Sequence, residues 1–206
     1  MAVGTYEITH EKIMESGKQQ FLENGYERTN LRDLCKAAGI TTGAYYRHFE
    51  NKEALFAALV EPVIAGLREK YSEGEKKSFD YLSAADLDDL WDVSVETMAE
   101  FINYIFLHFD EFKLLLHCSD GTPYVSFVDW MVEQEVADTS RVYEALETKG
   151  IEFERLEEKE LHMLNHAYYS CIFETVLHDY SKDDALKCTK TLAKFFTAGW
   201  RCAHGL

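Results

Sequence analysis

An all-helical chain is predicted by three features of the sequence. Apolar residues recur at three- and four-residue spacing along most of it, and only two prolines, Pro62 and Pro123, interrupt it. No run alternates apolar and polar residues between turn signals, as a half-buried strand would. With 206 residues, 47% of them hydrophobic and 14% aromatic, the chain can bury a substantial core, enough for a small domain fused to a larger one. The N-terminus lacks a basic, apolar leader and no 18-residue stretch is free of charge, so a soluble, cytoplasmic protein with no membrane partner is expected. Cys35, Cys118, Cys171, Cys188 and Cys202 show neither CxxC spacing nor an even count, and are expected as reduced, mostly buried thiols.

Residues 1–6 read as a frayed terminus. From about Thr9 the positions Ile13, Gly17 and Phe21 have helical spacing, and Gly25 closes that helix. A second helix is expected after Thr29-Asn30, with Leu31, Leu34, Cys35 and Ala38 as its apolar face and Gly39 as its stop. A third, short helix starts at Thr41, whose hydroxyl can cap it, and runs to about Phe49. Asn51 caps a fourth, from Lys52 to near Tyr71, with Pro62 as a possible bend. Polar Ser72–Ala85 is expected as a loop or a broken helix. A long helix is expected from Asp86 to Phe109, extended or followed by Glu111–Cys118. The turn Ser119–Pro123 leads to a helix from Tyr124 to about Thr148, closed by Lys149-Gly150. Two more helices are expected, over about Glu157–Tyr180 and Lys182–His204.

Two short helices joined by a tight turn need small residues where they cross, here Ala37 and Ala38. They also need a residue tolerant of positive φ, here Gly39, and an apolar plug, Ile40. In the helix that follows, Tyr45 and Phe49 are expected to point inward, leaving Thr41, Thr42, Arg47 and His48 on the other edge. A helix of that size fits the major groove of B-form DNA with its N-terminal end toward base edges. The net charge of -16 argues against nucleic acid only until its distribution is read: Arg28 to Lys52 carries +3, leaving -19 on the rest. A cationic head on an acidic body binds phosphates in one orientation only.

The run Thr29-x-Leu31-x-x-Leu34-Cys35-x-x-Ala38-Gly39-Ile40-Thr41-x-Gly43-x-x-Tyr46-x-His48-Phe49-x-Asn51-Lys52-Glu53-x-Leu55, preceded by Phe21-x-x-x-Gly25-Tyr26, resembles the DNA-binding domain of the TetR family of transcriptional regulators. Cys35 stands where the family usually has alanine, and Tyr45 where it favours leucine or another apolar group. The resemblance implies an N-terminal three-helix DNA-binding domain over residues 1–52 and a larger helical ligand-binding and dimerisation domain over 53–206. It implies that Thr42, Gly43 and Ala44, at the tip of the recognition helix, meet base edges. Arg47 is assigned either to a guanine or to a phosphate. Tyr46, His48 and Lys52 match phosphate-contacting positions, and Thr29 and Arg32 flank the motif toward the backbone. The competing readings are a core aromatic for Tyr46 and a capping or surface imidazole for His48.

Beyond residue 52 no comparable motif occurs. What the resemblance implies there is a small-molecule pocket, for which Trp91, Met98, Phe101, Ile102, Ile105, Phe127, Trp130, Met131, Met163 and Tyr169 are the candidates. Taken singly, each reads as readily as ordinary core. The last two helices carry more apolar residues than one face can bury, so Leu161, Tyr168, Ile172, Leu192, Phe195, Phe196 and Trp200 are candidates for a homodimer interface. His162 and His166 have a metal-compatible spacing, but no HExxH pattern surrounds them and neither a metal nor a cofactor is expected. No nucleophile–base–acid arrangement is present, so an enzyme is not expected. The function implied is a dimeric regulator on a palindromic duplex operator, with half-sites about 34–36 Å apart, released by a small-molecule effector with the fourth helix as lever. Two alternatives stay open: a DNA-binding regulator governed by a protein partner, and a metal-dependent enzyme built on His162 and His166.

Overall fold

The computed structural model describes residues 4–84 and 90–205; for residue 71 and for 73–84 it describes the backbone alone. Every regular element among them is helical: α1 (Thr5–Asn24), α2 (Leu31–Ala37), α3 (Thr42–Tyr45), α4 (Lys52–Ala84), α5 (Val95–Leu107), α6 (Phe109–His117), α7 (Phe127–Thr148), α8 (Glu158–Leu177) and α9 (Lys182–Ala203), with a 3-10 turn at Pro123–Ser126. No helix among the described residues is long and apolar enough to cross a membrane. The chain forms two compact units, one of residues up to Gly66 with His108–Phe127, the other of Leu67–Leu107 with the residues from Val128 onward.

The first unit is built on α1 and the first half of α4. Ile13, Phe21, Leu34, Tyr45, Leu55, Phe56 and Phe112 are fully enclosed there, and Phe21, Tyr26 and Phe56 pack ring against ring at 5.3–5.7 Å. Gly17 lets α1 approach α4 closely, because a Cβ there would stand 2.6 Å from Leu55 Cδ2. Ser16 Oγ donates to the Leu34 carbonyl at 3.0 Å, tying α1 to the middle of α2. The Lys18–Glu111 ion pair, at 3.0 Å, ties α1 to α6, and the Tyr124 hydroxyl donates to Glu61 at 2.8 Å.

In the second unit α5 lies along α9, where the Val93 amide donates to Thr197 Oγ1 at 2.9 Å. Its buried residues come from α5 (Met98, Ile102, Ile105), α7 (Met131, Val132, Val136, Tyr143, Leu146), α8 (Leu161, Tyr169, Ile172, Phe173, Val176) and α9 (Ala185, Ala193, Phe196). At one end Trp91 stacks on His204 at 3.6 Å, with Tyr143 beside both rings.

Element boundaries differ from expectation in four places. Helix α1 begins at Thr5, inside the stretch expected to fray, and carries Tyr6 onto the His48 ring. Helix α4 continues to Ala84 where a loop or break was expected. That stretch is rich in Glu and Lys, good helix formers, and a single glycine costs a helix only about 1 kcal/mol. The helix expected from Asp86 to Phe109 is shorter: residues 86–89 lie outside the described ones, and α5 starts at Val95 because Ser94 Oγ accepts from the Thr97 amide at 2.9 Å. His108 then breaks the helical run before α6. Helix α3 spans a single turn and ends at Tyr45 rather than Phe49. At the α2–α3 corner Ala38 is buried, whereas Ala37 faces solvent rather than the helix crossing.

Candidate nucleic-acid interface

The α2–turn–α3 segment is held from below and left open above. Gly39 takes φ +67° at the corner, a conformation that a side chain would strain. Asn30 caps α2, its Oδ1 accepting from the Arg32 amide at 2.8 Å. Thr41 caps α3 by accepting from the Ala44 amide at 3.1 Å. Tyr45 is the anchor: its ring is fully buried and its hydroxyl donates to the Asn51 carbonyl at 2.8 Å. Burial pushes that phenol well above its ordinary pKa, so it stays a neutral donor. Phe49 is buried beside it. With both aromatics inward, Thr41, Thr42, Gly43, Tyr46 and Arg47 are left exposed on one side, with Ala44 half-buried among them. Tyr46 is 58% exposed and rests edge-on against Tyr45, its centroid 5.6 Å away. A Cβ on Gly43 would meet nothing nearer than Thr41 Oγ1 at 3.8 Å, so the backbone at the helix tip is open to close approach.

Three other candidates are placed differently. The Thr29 side chain is buried, and its hydroxyl donates to the carbonyls of Gln20 and Gly25 at 2.9 and 2.8 Å; it is committed to closing α1. Lys52 is half-buried, with Nζ donating to the carbonyls of Tyr26 and Thr29 at 2.5 and 3.0 Å and lying 4.1 Å from the Tyr26 ring centre. Burial lowers its pKa, against a raising influence from Glu27. His48 is half-buried under Tyr6, ring centroids 4.1 Å apart, and 5.6 Å from His10. The enclosure, His10 and Arg47 all lower the His48 pKa, so it is a neutral imidazole near pH 7 and no standing cation for a phosphate. Arg32 is exposed at the start of α2. Tyr6 and His10 are the residues that sequence reasoning missed. Their spacing of four, continued by Ile13, was the available signal.

In the second unit Met98, Ile102, Ile105 and Met131 are buried, and Phe101 meets the rings of Tyr169 and Phe173 at 6.4 Å. Trp130 is half-buried with the Arg68 guanidinium 5.3 Å from its centre, and Trp91 is taken up by its stack on His204. Two pocket candidates are corrected: Phe127 packs on Phe112 in the first unit, and Met163 stands at the surface, 66% exposed. Of the interface candidates, Leu161, Ile172 and Phe196 are core residues, because the buried stripes of α8 and α9 run through them. Tyr168, Leu192 and Trp200 are half-buried and Phe195 is 69% exposed. The exposed stripes run instead through Met163, Ala167 and Cys171 on α8, and through Phe195, Gly199 and Cys202 on α9.

The profile of the bacterial regulatory proteins, tetR family, matches residues 13–59, the stretch from mid-α1 into α4. The probable acrEF/envCD operon repressor of Escherichia coli K12 is 44% identical over 48 residues, 23% of this chain and 22% of that protein. The HTH-type transcriptional repressor KstR2 of Rhodococcus jostii RHA1 is 30% identical over 105 residues, 51% of this chain and 50% of that protein. These alignments thus span half or less of the relatives' length. A crystal structure of a transcriptional regulator of the TerR/AcrR family from Aquifex aeolicus VF5 shares the fold over 91% of this chain and 98% of its own, with a TM-score of 0.61 at 17% identity. A matching sequence profile and matching repressors coincide on the segment that presents Thr42, Gly43, Tyr46 and Arg47: residues 13–59 are similar to the DNA-binding region of the bacterial regulatory proteins of the tetR family, and the chain shares its all-helical fold with a solved regulator.

Proposed function

We propose that the protein is a homodimeric, sequence-specific DNA-binding regulator, acting as a repressor that a small-molecule effector releases from a palindromic operator. The observation that carries this reading is the α3 surface. A one-turn helix is clamped inward by Tyr45 and Phe49, and its polar edge has been left to solvent. Thr42 is the base-reading side chain of that edge, and Gly43 and Ala44 admit the duplex to the backbone. Tyr46, Arg47 and Arg32 serve the phosphates. Lys52 and Thr29 act on DNA indirectly, by fixing the α1–α2 connection from which the reading helices hang.

Dimerisation is assigned to the exposed stripes of α8 and α9, where two large apolar groups, Met163 and Phe195, alternate with small residues that permit close helix approach. The effector site is assigned to the second unit, around Phe101, Trp130 and Tyr169. Helix α4 contributes residues to both units and is the element through which an effector shifts the spacing of the two reading heads.

The test is selection of bound duplexes from random DNA at low ionic strength, followed by variants on the selected site. Tyr46→Ala should weaken every duplex alike, by about 1.5–3 kcal/mol, the range of one lost hydrogen bond to a charged group. Thr42→Val should change which base pair is preferred at one position in each half-site. Failure to enrich any sequence would end the regulator reading, and equal effects of both variants on all duplexes would remove Thr42 from base reading.

A further inference from the structure

Among the described residues of the second unit, one carboxylate has no cation paired with it. Glu135, on α7, accepts one hydrogen bond, from the Tyr169 hydroxyl at 2.7 Å. Among the described residues no lysine, arginine or histidine is paired with it. The positive charge nearest in the chain, Arg141, is taken by Asp138. Burial raises the Glu135 pKa, Tyr169 opposes that rise and Asp138 adds to it. On α8, one turn before Tyr169, Asn165 is only 6% exposed and its Nδ2 has no partner; His162, a further three residues back, buries an Nδ1 that is likewise unpartnered. Positions 162, 165 and 169 share one helix face. The rings of Phe101, Tyr168 and Phe173 surround the Tyr169 ring with centroids 5.2–6.4 Å away.

Buried polar groups are almost always satisfied, since each one left bare costs about 1–3 kcal/mol. A part-buried carboxylate with no counter-charge among the described residues, together with two unpartnered nitrogens and a cluster of aromatic rings, retains hydrogen-bonding capacity for a guest. The charge of that guest is set by Glu135: an anion would be repelled, and a neutral molecule would leave the carboxylate uncompensated. A cation gains both the carboxylate and the negative faces of the rings. The acidic body, at -16 overall, raises the local concentration of cations further.

We infer that Glu135, Tyr169 and Asn165 form the polar end of an effector site that takes a protonated amine carried on an apolar body. The assignment rests on the ligand-released reading above and names the chemical class of its effector. In it the ammonium sits against Glu135, the apolar body lies along Phe101, Tyr168 and Phe173, and Asn165 meets a second polar atom or an ordered water.

The experiment is calorimetric titration of the full chain, without DNA, by three probes of matched shape: 4-phenylbutylamine, 4-phenylbutanol and 4-phenylbutyrate. The amine is expected to bind at least about tenfold more tightly than either of the others, the margin a carboxylate–ammonium contact supplies. Glu135→Gln should remove that margin while leaving the alcohol unchanged, with thermal unfolding used to check that the variant is folded. Should the variant not fold, the charge series on the unaltered chain decides alone. Equal binding of the three probes, preference for the carboxylate, or no binding of the amine at concentrations on the order of millimolar overturns the assignment. The same amine is then added to the protein on its selected duplex, where release is expected. A protein that selects no duplex yet binds the amine loses the regulator reading and keeps the site, whereas one that selects a duplex and ignores charge loses the site alone.

Discussion

His204 and Lys52 illustrate how single side chains in this protein work by being withdrawn from solvent. His204 is fully buried at the end of α9, with Nε2 2.7 Å from the Tyr143 hydroxyl, Nδ1 2.7 Å from the Trp200 carbonyl, and its ring stacked on Trp91. The neutral imidazole satisfies both contacts, donating to the carbonyl and accepting from the phenol, whose own pKa is pushed up to about 12. Burial lowers the His204 pKa from 6.5, with the Trp200 carbonyl opposing. The unfolded chain therefore binds a proton at a pH where the folded chain does not. The contribution is present above pH 6.5 and is lost as pH falls from there toward the folded value, at up to about 1.4 kcal/mol per pH unit. Urea midpoints measured from pH 8 to 5.5 should fall over that window in the parent and fall less steeply in His204→Gln; equal slopes would show that other groups carry the acid sensitivity. Lys52 is a stability residue by the same logic. Lys52→Ala strips the carbonyls of Tyr26 and Thr29 of a charged donor, and should lower unfolding free energy by about 1.5–3 kcal/mol. Reduced DNA binding in that variant should be accompanied by a lower melting temperature, and a phosphate contact alone would leave the melting temperature untouched.

Among the helices, the decisive contact for the reading head is the approach of α1 to α4. Gly17 and Leu55 are both buried, and a Cβ on residue 17 would overlap the Leu55 methyl group at 2.6 Å. The clash falls on the end of a side chain, so Gly17→Ala is partly absorbed by Leu55, while Gly17→Val drives the helices apart. Overpacking of this kind costs about 1–3 kcal/mol. The valine variant should lose stability and DNA affinity together, and Gly17→Val combined with Leu55→Ala should recover part of both. No recovery would mean that the close approach at Gly17 is unrelated to the defect. The short α3 depends on this platform because four residues cannot hold a helix by themselves.

For the whole molecule, the open question is what covers the outer stripes of α8 and α9. Phe195, at 69% exposed, and Met163, at 66%, leave apolar surface on two long helices that a second copy of the chain is proposed to bury. Phe195→Glu places a charge in the centre of that contact. It should shift sedimentation from dimer to monomer, and weaken operator binding by more than tenfold as the two half-sites uncouple, an estimate on the order of the effect of lost bivalency. A parent chain that sediments as a monomer at micromolar concentration would sink the assignment of these stripes.

The geometry of the α2–turn–α3 segment was legible in the sequence because its determinants are local. Capping threonine, a corner glycine and inward Tyr45 and Phe49 fall within one short window, where spacing alone decides which side chains share a face. The last three long helices were found for the same reason, though the phase of α8 and α9 was not. Their apolar residues run around more than one face, and only packing decides that Leu161, Ile172 and Phe196 turn inward while Met163 and Phe195 do not. Thr29 and Lys52 were read as contacts to the DNA backbone, since nothing local to either residue foretells the carbonyl of Gln20, or those of Tyr26 and Thr29, that engage them. The Glu135–Tyr169 contact spans 34 residues, and its partial burial exists only once α7 and α8 have assembled. The sequence by itself determined the helices and the motif, because backbone periodicity and capping act within a turn or two. Tertiary structure alone decided which polar groups are shielded from water, because that depends on side chains brought in from distant parts of the chain.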